Sequence, residues 1–226
     1  MRTSKTEKYS MCRSYAKCQF IVVLTSMAGA LTANLACAQE DSGTASQYPW
    51  SGSWWAHSDG GLTAPLAKYD QVFSTRAATW EHNNHVIRAN SQPWFGQGHA
   101  WSAADVTEKE PRKPREHKGV RFGVGDQKGL LTALHAHDEA NSFGDRFGDQ
   151  RGSEDPNDLP PDEVWRMLQL YVKQKNIPLI FDLEAGSEIW NYPVYQYEVT
   201  YQEAGNGWLG YWAGVRYRYG RESHEE

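Results

Sequence analysis

The sequence predicts an α+β domain, with helices in its first half and an antiparallel sheet toward its C-terminal end. Two observations carry this. Segments whose apolar residues recur at helical spacing all lie before residue 176, and two alternating segments near the end flank Ala204-Gly205-Asn206-Gly207, which reads as a hairpin turn. Runs of helix followed by runs of strand are the signature of that class.

The elements follow in chain order. Tyr48 to Trp55 (YPWSGSWW) is aromatic and turn-rich, more a packed loop than a helix. From Leu66 to Thr79, Leu66, Tyr69, Val72, Phe73 and Ala77 fall on one face of a helix. Residues 107–118 (TEKEPRKPREHK) are charged and hold two prolines, so they read as an exposed connection. Val124 to His137 is expected to be a second helix, capped by Asp126 and turning Leu130, Leu131 and Leu134 inward. Asn141 to Asp158 is rich in Gly, Asp and Asn, a long loop. Pro160-Pro161-Asp162-Glu163 then opens the clearest helix, because Pro and acids suit a first turn. Its apolar stripe is Val164, Trp165, Leu168, Tyr171 and Val172. Residues 178–183 (PLIFDL) read as a buried strand, and Tyr192–Tyr201 and Trp208–Tyr219 as the paired strands.

The chain has 226 residues, a net charge of −5 and a heavy load of rings: ten Trp, twelve Tyr and seven Phe. Its cysteines are Cys12, Cys18 and Cys37, with none after. The first 19 residues carry five basic side chains and one acid. A mostly apolar run from Phe20 follows, ending in Ala36-Cys37-Ala38. Basic start, apolar middle and small residues flanking the cleavage point define a secretory signal over 1–38. Its removal leaves 188 residues with a charge of −9 and no cysteine. Such a domain makes no disulfide and no thiolate metal site. A chain this acidic does not suit nucleic acid, whose binding is driven by phosphate neutralisation. The expected organisation is a flexible leader at 39–47, one domain at 48–220 and a charged tail at 221–226, soluble after signal cleavage and secreted or periplasmic.

Several clusters stand out as candidate sites. In Trp94-Phe95-Gly96-Gln97-Gly98-His99-Ala100-Trp101, aromatics frame two glycines and a helix-like run follows. Asp145, Asp149, Asp155 and Asp158 offer oxygen ligands suited to calcium, without the spacing of an EF-hand. His82 and His85, with His135 and His137, are candidate zinc imidazoles.

The mature chain resembles the transglutaminase elicitor family of secreted oomycete and marine-bacterial proteins. The resemblance is carried, in the family's order, by Pro49–Trp55 (PWSGSWW), Lys68-Tyr69-Asp70, Trp94–Trp101, Gly119–Gly123 (GVRFG), Arg151–Asp158 (RGSEDPND), Phe181-Asp182 and Ile189–Tyr195 (IWNYPVY). It implies a papain/transglutaminase-like core and Cys-dependent acyl transfer, in which a thiolate attacks a Gln carboxamide, ammonia leaves, and a Lys amine or water resolves the thioester. Where the family has its Cys, this chain has Gly98. The resemblance also implies a general base after the nucleophile, yet no histidine lies between His137 and His224. The candidate catalytic positions are Gly98, where the family's Cys would stand, His99 beside it, Ser102 one helical turn on, and Asp182 and Asn191, where the family's third catalytic member is expected; Trp94, Phe95, Trp101 and Trp190 are expected to line the substrate groove. The implied ligand is a peptide or protein bearing Gln or Lys side chains, or a cell-wall polymer, with no cofactor required and calcium the one candidate. Two other readings stay open: an active amide-processing enzyme using Ser102 or an activated water, and a structural envelope protein.

Overall fold

The computed structural model describes residues 39–87, 92–144, 159–182, 188–204 and 208–217, with backbone alone from residue 202 onward. The segment expected to be a signal, the four aspartates proposed for calcium, and the expected charged tail lie outside the described residues.

The first half is helical. Strand β1 (Gln39–Thr44) is followed by the aromatic loop and a single 3-10 turn at His57–Asp59, then by α1 (Thr63–Phe73), α2 (Ala77–Glu81), α3 (Gly98–Thr107) and α4 (Val124–Leu134). The helix expected over Leu66–Thr79 is in fact two. Ser74 takes a left-handed conformation (φ 56°), and the Asp70 carboxylate accepts the Ala77 and Ala78 backbone N–H groups at 2.8 and 3.0 Å, capping α2. Between α3 and α4 the charged connection holds a short hairpin, β2 (Arg115–His117) with β3 (Val120–Phe122). Asp126 does cap α4, accepting the Gly123 N–H at 2.7 Å. The inward face of α4 differs from expectation: Gly129 and Thr132 are buried, whereas Leu134 is 70% exposed. Bulky α1 and Trp55 atoms crowd the space over Gly129, so the helices approach there on a residue with no side chain.

In the second half, α5 (Pro161–Met167) continues into wider π-helical turns over Leu168–Gln174, where the Lys175 N–H bonds the Leu170 carbonyl five residues back. Strands β4 (Leu179–Asp182), β5 (Asn191–Ala204) and β6 (Trp208–Tyr217) complete the fold. Every pairing in the main sheet is antiparallel and centres on β5. One edge of β5 pairs with β6; Val194 meets both Tyr217 of β6 and Leu179 of β4, so β4 lies on the other edge, end to end with β1. Because β4 is a margin of the sheet, it is half-covered rather than buried, and Ile180 is exposed.

Residues 39–44, expected to be a flexible leader, instead form an edge strand, with Gln39 opposite Tyr201 and Thr44 opposite Gln196. Asp41 explains why so polar a segment is ordered. Its carboxylate accepts hydrogen bonds from Trp165 Nε1 (2.7 Å), Gln169 Nε2 (2.9 Å), the Tyr197 hydroxyl (2.9 Å) and Lys173 Nζ. Burial alone would raise its pKa, but these four donors outweigh it and lower the pKa to about 2.

Two cores result. In one, Leu168 and Val172 pack on the β5 face of Val194, Tyr195, Tyr197 and Val199; each buried aliphatic there contributes roughly 1.5–3 kcal/mol. In the other, Trp50, Trp101 and Ala104 pack with Trp55 and Leu131. Lys128 ties the aromatic loop to α4, donating to the Ser51 carbonyl at 2.5 Å and lying 5.1 Å over the Trp50 ring. Among the described residues, no helix is long and apolar enough to cross a membrane.

Candidate active site

Two backbone bonds clamp the aromatic loop against the start of α3: Gln97 N–H to the Trp54 carbonyl (2.6 Å) and His57 N–H to the Phe95 carbonyl (2.9 Å). Trp55, at the bend, is held at φ 49°, a left-handed conformation that is strained for a side chain of that size. The clamp leaves Gly98 as the first residue of α3, where the backbone amides of a helix start have no partner within the helix.

Over that point lies a cleft of about 300 Å³. Trp54, Trp94, Phe95 and Trp101 form one side, and Ile189, Trp190, Asn191 and Tyr192 the other; Gly96, Gly98, His57 and His99 complete the lining. The rings of Trp54 and Trp190 meet edge to face at 5.7 Å across the junction. All four residues expected to line a groove (Trp94, Phe95, Trp101 and Trp190) face this one cleft.

The expected catalytic positions fare differently. Gly98, His99 and Asn191 converge on the cleft. A Cβ on Gly98 would meet Trp54 Cβ at 3.6 Å and Asn191 Nδ2 at 3.7 Å, ordinary contact distances. Asp182 pairs in register with Asn191, and its carboxylate accepts the Trp190 N–H at 3.2 Å, so it shapes the turn beside the cleft without lining it. Ser102 is not a cleft residue. It is fully buried, and its hydroxyl donates to the His99 carbonyl at 2.9 Å, one helical turn back. Spacing placed it one turn on from Gly98, and that turn carries it inward.

The histidines assort in an unexpected way. His135 pairs with Asp138 at 2.5 Å and His82 is exposed, so neither joins His85. His85 instead lies 2.6 Å from Glu81, and its ring stacks at 5.0 Å on His57. Burial pushes the His57 pKa down, His85 and His99 add to that, and Glu81 opposes it. His57 and Glu81 were missed in the sequence because catalytic order directs attention downstream of the nucleophile. An imidazole does reach the cleft, from the upstream side. Glu81 and His85 are four apart, a helical-face spacing that was legible; their pairing with His57, 24 and 28 residues earlier, was not.

The fold has a counterpart among solved structures. The crystal structure of the GP42 transglutaminase from Phytophthora sojae superposes with a TM-score of 0.53 at 21% identity, covering 70% of this chain and 55% of that one. The chain therefore spans little more than half of that protein's length, and the likeness establishes the fold. No curated protein matches the sequence. The family model described as transglutaminase elicitor matches residues 85–207, more than half of the chain, running from His85 through α3 and the cleft to the β5–β6 turn. By that match, the chain belongs to the transglutaminase elicitor family.

Proposed function

We propose that this chain is a secreted, catalytically silent member of its family, which keeps the aromatic cleft and binds a Gln- or Lys-bearing peptide or a wall polymer without acyl transfer. The observation that carries the reading is Gly98. It opens α3 at the cleft, where neither packing nor backbone conformation calls for glycine, and residues 39–226 contain no cysteine. No described residue lining the cleft carries a thiol or an aliphatic hydroxyl, which leaves acyl transfer without a side-chain nucleophile of the usual kind. Support for export comes from the sequence of residues 1–38, with its basic start, apolar middle and Ala36-Cys37-Ala38.

The test is incorporation of a fluorescent primary amine into a Gln-bearing protein by purified residues 39–226, with and without calcium. The expected result is no incorporation above the protein-free blank under either condition. Sustained turnover that scales with protein concentration would overturn the proposal. N-terminal sequencing of the exported protein is expected to begin at Gln39; a retained leader would remove the secretory part of the reading alone.

A further inference from the structure

We infer that His57, Glu81 and His85 form a binding site for a zinc-class divalent cation, at a hollow that adjoins the aromatic cleft. One donor atom from each of the three lies within 4.8 Å of the others. Two imidazoles and a carboxylate, with a further position left to water, are a donor set typical of zinc sites that stay open to solvent.

Glu81 is 2% exposed, and no Lys or Arg pairs with it among the described residues. A buried carboxylate without a full counter-charge is costly, and a divalent cation supplies that charge. One of its oxygens accepts the Leu62 N–H at 3.1 Å, which orients the other toward His85, as outer partners orient ligands in metal sites. His57 Nε2 is buried with no hydrogen-bond partner among the described residues, so a nitrogen is available there that packing does not use. Gln97 Nε2 lies 3.1 Å from His85 Nδ1, which therefore faces a carboxylate and an amide nitrogen together.

The local backbone is built for the position. Glu81 ends α2, and the chain then runs through a π-helical turn over His82–Val86, where the Ile87 N–H bonds the His82 carbonyl. Such turns widen a helix and are frequent at functional sites. The hollow over the trio, about 380 Å³, has room for water to complete the coordination. Closing on the ion requires the widest donor pair to draw in by up to about 1.5 Å to reach tetrahedral ligand distances near 2.0–2.1 Å. The parallel rings of His57 and His85 must also turn so that their lone pairs converge, which is side-chain rotation alone. Because His57, Gly96 and His99 border both spaces, the ion would stand beside the cleft rather than apart from it.

The experiment is a titration of chelator-stripped residues 39–226 with Zn²⁺ against a chromophoric chelator, paired with Co²⁺ substitution. One ion per chain is expected, with the intense visible absorption of four-coordinate cobalt, and Zn²⁺ should raise the thermal midpoint. His57→Ala, Glu81→Gln and His85→Ala should each weaken binding at least about tenfold, while His82→Ala and His117→Ala leave it unchanged. Circular dichroism confirms folding of each variant, and the cobalt spectrum of the unmodified protein tests the site even where a variant fails to fold. Absence of stoichiometric uptake, a six-coordinate cobalt spectrum, or full affinity in folded His57→Ala would overturn the assignment.

Discussion

A Cβ at Gly96 would lie 2.4 Å from the Trp54 carbonyl oxygen and 2.9 Å from that of Trp55, whereas one at Gly98 meets nothing closer than 3.6 Å. The first glycine is imposed by the clamp that holds the aromatic loop to α3, and the second is free to be something else. Cysteine at the two positions therefore separates the cases. Gly96→Cys should destabilise by about 1–3 kcal/mol, since rigid backbone must move to admit it. Gly98→Cys should fold with nearly unchanged stability and present its thiol at the first turn of a ten-residue helix, where unpaired amides favour the thiolate. Alkylation of the Gly98→Cys variant at pH 7 should run faster than that of Ser58→Cys, which places a thiol at an exposed position, with the rate profile shifted to lower pH. Equal rates would mean that Gly98 does not occupy a nucleophile's position.

Asp41 acts at the scale of an element, since four donors from α5, the turns after it and β5 reach one carboxylate in β1. Its side chain is 8% exposed, and its pKa falls from 3.8 to about 2 on folding. A depressed carboxyl pKa contributes stability above the unfolded value, which fades as pH drops from about 4 toward 2. Just under two units corresponds to about 2 kcal/mol. Asp41→Asn should lose roughly that much at pH 7 in urea unfolding, and the gap between variant and parent should narrow below pH 4. Parallel pH profiles for the two proteins would refute this linkage.

The same strand marks the limit of what the sequence discloses. Nothing in Gln39–Thr44 (QEDSGT) alternates in hydropathy, and its order comes from a polar side chain whose partners lie 124 to 156 residues away. The break between α1 and α2 was likewise hidden, because Asp70 caps the second helix from inside the first, while apolar periodicity runs on past Ser74. By contrast, the start of α5 and the β5–β6 hairpin were legible, since Pro, first-turn acids and a Gly-rich turn act locally. Of the site, a ring-lined groove was expected from the ordered family motifs; that Asn191 rather than Asp182 meets Gly98, that Ser102 turns inward, and that His57 and Glu81 stand beside the cleft were not legible. Local chemistry can be read from a chain in a way that long-range pairing cannot.

For the whole molecule, the cleft lies between the helical half and the entry to the sheet. Trp54, Trp94 and Phe95 belong to the helical half, and Trp190, Asn191 and Tyr192 to the turn into β5 and its first residues. A bound peptide would thus touch both halves, and its affinity should depend on rim rings more than on buried ones. Trp101 is 2% exposed in the core between Trp50 and Ala104, so Trp101→Ala would lose about 3–5 kcal/mol of stability and obscure any effect on binding. Phe95 is 41% exposed and Trp94 half-buried, so both can be truncated with little loss of fold. With a fluorescein-labelled peptide carrying one Gln and one Lys, Trp94→Ala and Phe95→Ala should each weaken binding by about 1–3 kcal/mol, roughly 5- to 150-fold. Gly98→Cys, which adds volume inside the cleft without removing a ring, should change affinity far less. Peptide affinity unaffected by either ring truncation in folded protein would take the ligand out of this cleft and favour a purely structural role for its aromatic walls.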